Sequence, residues 1–190
     1  MDMMKKQLLI LCSCIGFLFT GCQQISKTPA LSMTQPENVE QFKITGKIGV
    51  RTPQQNGSAF YGWTQIGDQF AIDLTGALGV GQTSIRGKPG DVSLTSSKTG
   101  TIEATTPEEL LFKATGWQAP ITHLVAWINA KTATAQAEQQ TDAQGRLSTV
   151  HEGGWTANLS YNNQEKQPSK LVLVDDAQQN RVTLTIQTRE

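Results

Sequence analysis

The sequence lacks a charge excess of either sign. Sixteen Lys and Arg offset sixteen Asp and Glu over 190 residues, for a formal net charge of zero. A nucleic-acid binder must neutralise phosphates and carries a basic surplus, so no nucleic-acid partner is expected. Cysteine is scarce: all three lie in the first 22 residues, as Cys12, Cys14 and Cys22. Glycine and proline (17 and 7) are too few for a linker or a collagen-like chain. Apolar residues (37%) and charged residues (17%) are both modest, and uncharged polar residues fill the gap. That mixture suits antiparallel β-structure with one wet face better than a helical bundle. The only long uncharged apolar run, residues 8–20, is too short to span a bilayer.

What that run does resemble is the core of a signal peptide, because Lys5 and Lys6 precede it and small residues follow. Its end, Phe19-Thr20-Gly21-Cys22, is similar to the lipobox of bacterial lipoproteins. That resemblance implies that residues 1–21 are removed and that Cys22 is lipidated. Phe19 stands where those proteins usually have Leu. A second box, Leu11-Cys12-Ser13-Cys14, has the better first residue but would leave an apolar core of only a few residues. With Cys22 acylated, the mature chain has no thiol for a disulfide or a zinc site, and no metal or cofactor is expected. Losing Asp2, Lys5 and Lys6 leaves 14 basic against 15 acidic side chains. The mature length, about 170 residues, is ample for one core. Gln23 follows the cysteine where the inner-membrane retention pattern would have Asp, so the resemblance places the anchor in the outer membrane. Residues 22–36 contain Pro29 and Pro36 among polar residues and read as a tether, leaving 37–190 as a single domain.

The body of the chain reads as strands, two helices, then strands. A short helical turn is expected over 37–41. Residues 42–51 alternate apolar with polar or glycine, the period of a half-buried strand. Residues 53–57 read as a turn on the Asn56-Gly57 signal. Strands follow at 59–65, with Tyr61, Trp63 and Gln65 on one face, at 70–74, and in shorter form at 83–86, 92–95 and 101–104. Thr106-Pro107-Glu108-Glu109 is a capping box that opens a helix ended by Gly116. A second helix opens at Pro120 and carries one stripe, Ile121, Leu124, Val125 and Ile128, bordered by Trp127. A weak edge strand is expected at 134–140, a turn at 142–145, and strands at 146–151, 155–161, 171–174 and 181–187. Ten or eleven antiparallel strands in one sheet must curl. The helices would then cover the open mouth or plug the concave side. A curled sheet with an apolar inner wall is a container.

Catalytic signatures are absent from the sequence. There is no Gly-x-Ser-x-Gly elbow, no His-Glu-x-x-His and no phosphate loop, and Gly79-Val80-Gly81 lacks the further glycine of a dinucleotide site. His123 and His151 read as surface or cap residues, and Asp175-Asp176 as a turn. A Ser/His/Asp triad assembled by folding stays open, since triads are defined by geometry. Trp63, Trp117, Trp127 and Trp155 read as core or rim packing, with the alternative that some line a lipid-sized cavity.

Several segments together resemble the LolB family of outer-membrane lipoproteins. They are Phe42-Lys43-Ile44-Thr45-Gly46-Lys47; Trp63-Thr64-Gln65 followed by 70–74; Ala77-Leu78-Gly79; Pro89-Gly90-Asp91-Val92; Pro107-Glu108-Glu109-Leu110; Thr115-Gly116-Trp117; and Leu124-Val125-Ala126-Trp127-Ile128. The likeness is good over 42–130 and by pattern only beyond. Ala77 stands where the family commonly has proline, and Asn129-Ala130 where a Gly-rich stop is usual. The resemblance implies an open, incomplete β-barrel with a helical lid, LolA/LolB-like, and no enzymatic activity. It implies a monomer that accepts acylated lipoprotein cargo from a LolA-like periplasmic carrier and inserts it among outer-membrane lipids. Candidate acyl-cavity residues are Trp63, Leu111, Leu124, Trp127 and Ile128, and Leu78 is the candidate membrane-inserting residue. The tip Ala-Leu-Gly-Val is unusually apolar for a turn. Alternative functions are an anchored structural or assembly lipoprotein holding a protein partner, and a lipid-linked hydrolase with His123 or His151 bonded to a serine.

Overall fold

Eleven strands form one antiparallel sheet with the spatial order β6-β5-β4-β3-β2-β1-β11-β10-β9-β8-β7 in the computed structural model, which describes residues 40–76 and 81–190. The first meander comprises β1 (Gln41–Arg51), β2 (Asn56–Ile66), β3 (Gln69–Thr75), β4 (Gln82–Lys88), β5 (Asp91–Ser96) and β6 (Gly100–Ala104). Two helices follow, α1 (Pro107–Thr115) and α2 (Ile121–Ile128). The second meander comprises β7 (Glu138–Thr141), β8 (Leu147–Glu152), β9 (Trp155–Ser160), β10 (Lys170–Asp175) and β11 (Arg181–Arg189). The two meanders are joined only along β1 and β11, which pair antiparallel from Ile44–Arg189 to Arg51–Arg181. Strands β6 and β7 form the free edges, so the barrel is open. The residues proposed as signal peptide, lipidated Cys22 and tether lie outside the described residues, as does Leu78.

Period-2 patterning sets the two faces. On β1, Phe42, Ile44 and Val50 are buried while Lys43, Lys47 and Arg51 are exposed. On β2, Ala59, Tyr61, Trp63 and Gln65 are all buried on one side, as the alternation required. Ladder register carries this face across the first meander: Ile44, Trp63, Ile72, Ile85, Leu94 and Ile102 are successive cross-strand partners. The second meander supplies Val150, Ala157, Leu171, Leu173, Val182 and Leu184 to the same core, all buried. Both helices pack within the concave side, where Trp127 and Ile128 are wholly buried.

Three local expectations need correction. The first hairpin turns at 52–55, and Asn56 and Gly57 already belong to β2. The Thr52 hydroxyl accepts from the Gln54 and Gln55 amides at 3.2 and 3.0 Å, so a side-chain turn forms before the Asn-Gly pair is reached. The weak edge strand begins only at Glu138, because the Thr134 backbone amide is taken by a carboxylate instead of a ladder. Gln41, the last residue of the helical turn expected over 37–41, opens β1 instead, its ladder partner being Ile66, and residues 37–39 lie outside the described residues.

Candidate functional site

The helix N-termini are fixed by hydroxyl and carboxylate caps that also tie the two helices to each other. Thr106 caps α1 through its hydroxyl, which accepts from the Glu109 amide at 3.1 Å, while Glu109 accepts from the Thr105 amide and hydroxyl at 2.8 Å. The Lys113 ammonium and these Thr105 bonds draw the Glu109 carboxyl down to about 2. Gly116 ends the helix at φ 78° with its amide on the Phe112 carbonyl. Helix α2 has no cap of its own. Glu108 of α1 supplies one, accepting from the Thr122 amide and hydroxyl at 2.8 and 2.9 Å. A carboxylate in that position also opposes the positive helix end.

Between this helix pair and the sheet lies a cavity of about 570 Å³. Its apolar wall comes from Trp63, Phe70 and Val92 of the sheet and from Ile121 and Val125 of α2, and Glu108 and Thr122 lie on its rim. Phe70 reaches the cavity because its ladder partner is Gly87; a Cβ on Gly87 would run into the Phe70 ring. Trp63 is fixed from two sides. Phe42 meets it edge-on at 5.5 Å, and its indole N–H donates to the Gln65 side chain at 3.0 Å. Gln65 in turn donates to the Gly67 carbonyl, which satisfies a buried amide. Beyond the helices the same concave face continues as half-buried Ile72, Leu74, Ile85, Leu94 and Ile102. This apolar strip is not fully covered.

Of the candidate cavity residues, Trp63 lines the cavity. Leu124, Trp127 and Ile128 instead point into the packed core, and Leu111 is half-buried against it. The reason lies in the helix geometry. The apolar stripe of α2 is wide enough to face two ways: Ile121 and Val125, one turn apart, face the cavity, and Leu124, Trp127 and Ile128 face the sheet. Two cavity residues, Ile121 and Val125, were present in the stripe but not separable from its buried half by spacing alone.

A further residue escaped the sequence reading. Glu152 is only 5% exposed, yet its carboxylate accepts four hydrogen bonds. The Trp127 indole N–H and the Ala133 amide donate to one oxygen at 2.6 and 2.8 Å; the Thr134 amide and hydroxyl donate to the other, both at 2.8 Å. Burial pushes this carboxyl up, but the four donors more than offset that, and it lies below the ordinary glutamate range. The signal was its parity: Val150 and Glu152 share the inward face of β8, and a carboxylate there must find buried donors.

The histidines lie elsewhere. The His123 ring packs edge-on to Trp127 at 5.7 Å, with its Nδ1 buried and unpaired, and Gly153 backs the ring. His151 is half-buried, with Nε2 3.0 Å from an Asp176 oxygen. Among the described residues neither is hydrogen-bonded to a serine. Asp175 forms the expected turn, accepting from the Gln179 and Asn180 amides.

An unclosed antiparallel sheet wrapped around a helical pair, with an apolar cavity between them, defines a protein of the open-barrel class. The family described as Outer membrane lipoprotein LolB matches residues 40–188. The Outer-membrane lipoprotein LolB of Stutzerimonas stutzeri is 34% identical over 160 residues, covering 77% of each chain. That of Pseudomonas putida (strain F1) is 34% identical over 168 residues, covering 80% of this chain and 82% of the relative. The chain belongs to the LolB family of outer-membrane lipoproteins. Among solved structures, a DUF1329 family protein from Desulfovibrio piger aligns with a TM-score of 0.48 at 4% identity, over 81% of this chain and 86% of that one.

Proposed function

We propose that the cavity between α2 and the sheet receives the acyl chains of lipoprotein cargo. In this reading the chain accepts the cargo from a LolA-like periplasmic carrier and discharges it into the outer membrane. Residues 1–21 are removed, Cys22 bears the anchoring acyl chains, 22–36 form the tether, and 37–190 act as a monomeric binding domain. One observation carries the reading: an apolar cavity of about 570 Å³, in the size range of small-molecule sites, that opens beside a half-buried apolar strip. An assembly lipoprotein that holds a partner on its sheet edge would have no use for that space. The energetics call for such a container. Three acyl chains of about 15 methylenes, at ~0.8 kcal/mol each, represent ~35 kcal/mol of gross transfer free energy. Free passage through water is negligible, and a series of cavities of rising affinity moves the cargo without nucleotide.

Val125→Glu tests the cavity directly. Val125 is half-buried and lines the space, whereas Leu124 is core and its replacement would confound binding with folding. A carboxylate forced into an apolar site costs several kcal/mol, so affinity for a fluorescent fatty acid should fall at least ~50-fold while circular dichroism stays native. A folded variant that binds like wild type removes the cavity from the function.

Leu78 belongs to the discharge step. An outward leucine that enters the membrane surface gains ~1.5–3 kcal/mol. Leu78→Glu is expected to accept labelled lipoprotein normally but to transfer it to liposomes at least ~10-fold more slowly. Transfer at the wild-type rate would eliminate the protruding-leucine role.

A further inference from the structure

The convex face, opposite the cavity, carries a concentration of positive charge that the fold does not compensate. Lys47 and Arg51 on β1, Arg181 on β11 and Lys170 on β10 are all exposed. Register places them together. Arg51 and Arg181 are direct cross-strand partners, and Lys47 and Lys170 both pair with Thr185, one strand apart on either side. At ~4.8 Å between strands and ~3.4 Å per residue, the four Cα positions fall within roughly 10 by 14 Å. Among the described residues none of the four forms an ion pair or side-chain hydrogen bond. The acidic groups at the borders are engaged: Glu190 with Lys43, Asp73 with Arg86, and Asp175 with the amides of its own turn. Like charges directly opposite on a ladder destabilise it, so the Arg51–Arg181 pairing carries a cost without return inside the molecule.

Beside this cluster stands the most exposed large apolar side chain among the described residues. Phe60 is 56% exposed and is the cross-strand partner of Lys47 on β2. Its other ladder partner is Thr75, at the end of β3. An exposed aromatic ring flanked by unpaired cations is the composition of a membrane-surface contact, in which the ring enters the headgroup boundary and the cations meet phosphates.

We infer that the convex face around Phe60, Lys47, Arg51, Lys170 and Arg181 docks on an anionic phospholipid surface. Charge complementarity points to phosphates, and the exposed ring points to a surface with an apolar layer beneath them. Chain length permits it. From Cys22 to residue 39 the chain spans at most about 60 Å, and Lys47 lies only about 20 Å along β1 from Gln41. Docking rests on the reading that the chain works at a membrane, but not on what the cavity holds. It turns the sheet's outer face to the bilayer and leaves the concave side with its cavity accessible from the periplasm.

Flotation with vesicles tests this on the mature chain from residue 22 carrying Cys22→Ala, so that no acyl anchor holds it. The core lies within residues 40–190, so the chain without its leader keeps its fold. Binding is expected to vesicles of equal parts phosphatidylcholine and phosphatidylglycerol, not to pure phosphatidylcholine, and to disappear at about 1 M salt. Replacing Lys47, Arg51, Lys170 and Arg181 together by Gln should lower partition at least ~100-fold, about three-fold or more per charge. Phe60→Ser should lower it about ten-fold. The four-charge variant should melt at or above the wild-type temperature, because the Arg51–Arg181 repulsion is relieved, and should bind fluorescent fatty acid unchanged. Equal flotation of wild type and the four-charge variant, or no preference for phosphatidylglycerol, overturns the docking face. So does wild type that ignores vesicles but is retained by an acidic protein surface. Loss of fatty-acid binding with normal flotation would strike the cavity reading alone.

Discussion

Glu152→Ala is expected to cost about 3–5 kcal/mol of folding stability, although the residue touches neither the cavity nor the solvent face. The substitution strands three donors at once, the buried Trp127 indole N–H and the part-buried Ala133 and Thr134 amides. Each buried donor left unpaired costs ~1–3 kcal/mol, and these amides have no ladder partner to fall back on. For a domain of this size the melting temperature should drop by roughly 10 °C or more. Glu138→Ala, with its side chain 87% exposed on the edge strand, should change nothing measurable. A Glu152→Ala melting curve that overlays wild type would show that the carboxylate is not holding α2 and the segment before β7 in place.

The same group gives a pH signature with a definite sign. The folded pKa of Glu152 lies below its ordinary value of 4.5. Its stabilisation is therefore fully present above that value and is lost as pH falls through the lower, folded value. Asp73, Glu109 and Asp142 are shifted in the same direction, so the whole molecule weakens in acid. The informative quantity is the difference between wild type and Glu152→Ala. It should be largest near neutral pH and shrink as the pH drops below 4.5.

How much of this was legible beforehand depends on the range of the interaction. Strand faces follow from nearest-neighbour alternation, so Tyr61, Trp63 and Gln65 could be assigned to one side from sequence alone. The cap of α1 is equally local, with Thr106 and Glu109 three residues apart. The pairing of β1 with β11 joins positions 130 or more residues apart, and no local pattern encodes it. The cavity was legible only in part for the same reason. Trp63 is marked by its strand, but the division of the α2 stripe between Ile121 and Val125 on one side and Leu124, Trp127 and Ile128 on the other is decided by where the sheet lies. Glu152 was hidden because a lone Glu in a strand reads as solvent-facing until its inward parity is compared with that of Val150. The basic face was hidden by a net charge of zero, since a balanced total conceals a segregated distribution.

Gly46→Ala is expected to be the most disruptive glycine substitution among the described residues. Gly46 belongs to the first-strand pattern Phe42-Lys43-Ile44-Thr45-Gly46-Lys47, and the reason for glycine there is space. A Cβ at this position would collide with the Thr185 carbonyl oxygen, which belongs to the backbone of β11 and cannot swing aside, and would come within 3.0 Å of the Tyr61 hydroxyl. The register between β1 and β11 shifts between Thr45 and Gly46, and Tyr61, the cross-strand partner of Gly46, reaches over that bulge to donate to the same Thr185 carbonyl at 3.3 Å. Glycine thus makes room for a bulge and for the phenol that satisfies it, at the one seam that joins the two meanders. Adding a methyl group must either move β11 or break the seam. Overpacking against side chains costs 1–3 kcal/mol; against backbone the expected loss is about 3 kcal/mol or more, read as a fall in the urea midpoint. Tyr61→Phe removes only the hydrogen bond and should cost about 1 kcal/mol. Gly62→Ala, with open space at its Cβ position, and Gly49→Ala, whose nearest neighbour would be 4.0 Å away, should both stay within about 1 kcal/mol of wild type. If Gly46→Ala unfolds no earlier than Gly49→Ala, the β1–β11 seam tolerates a side chain and the close approach of Thr185 is not what demands glycine.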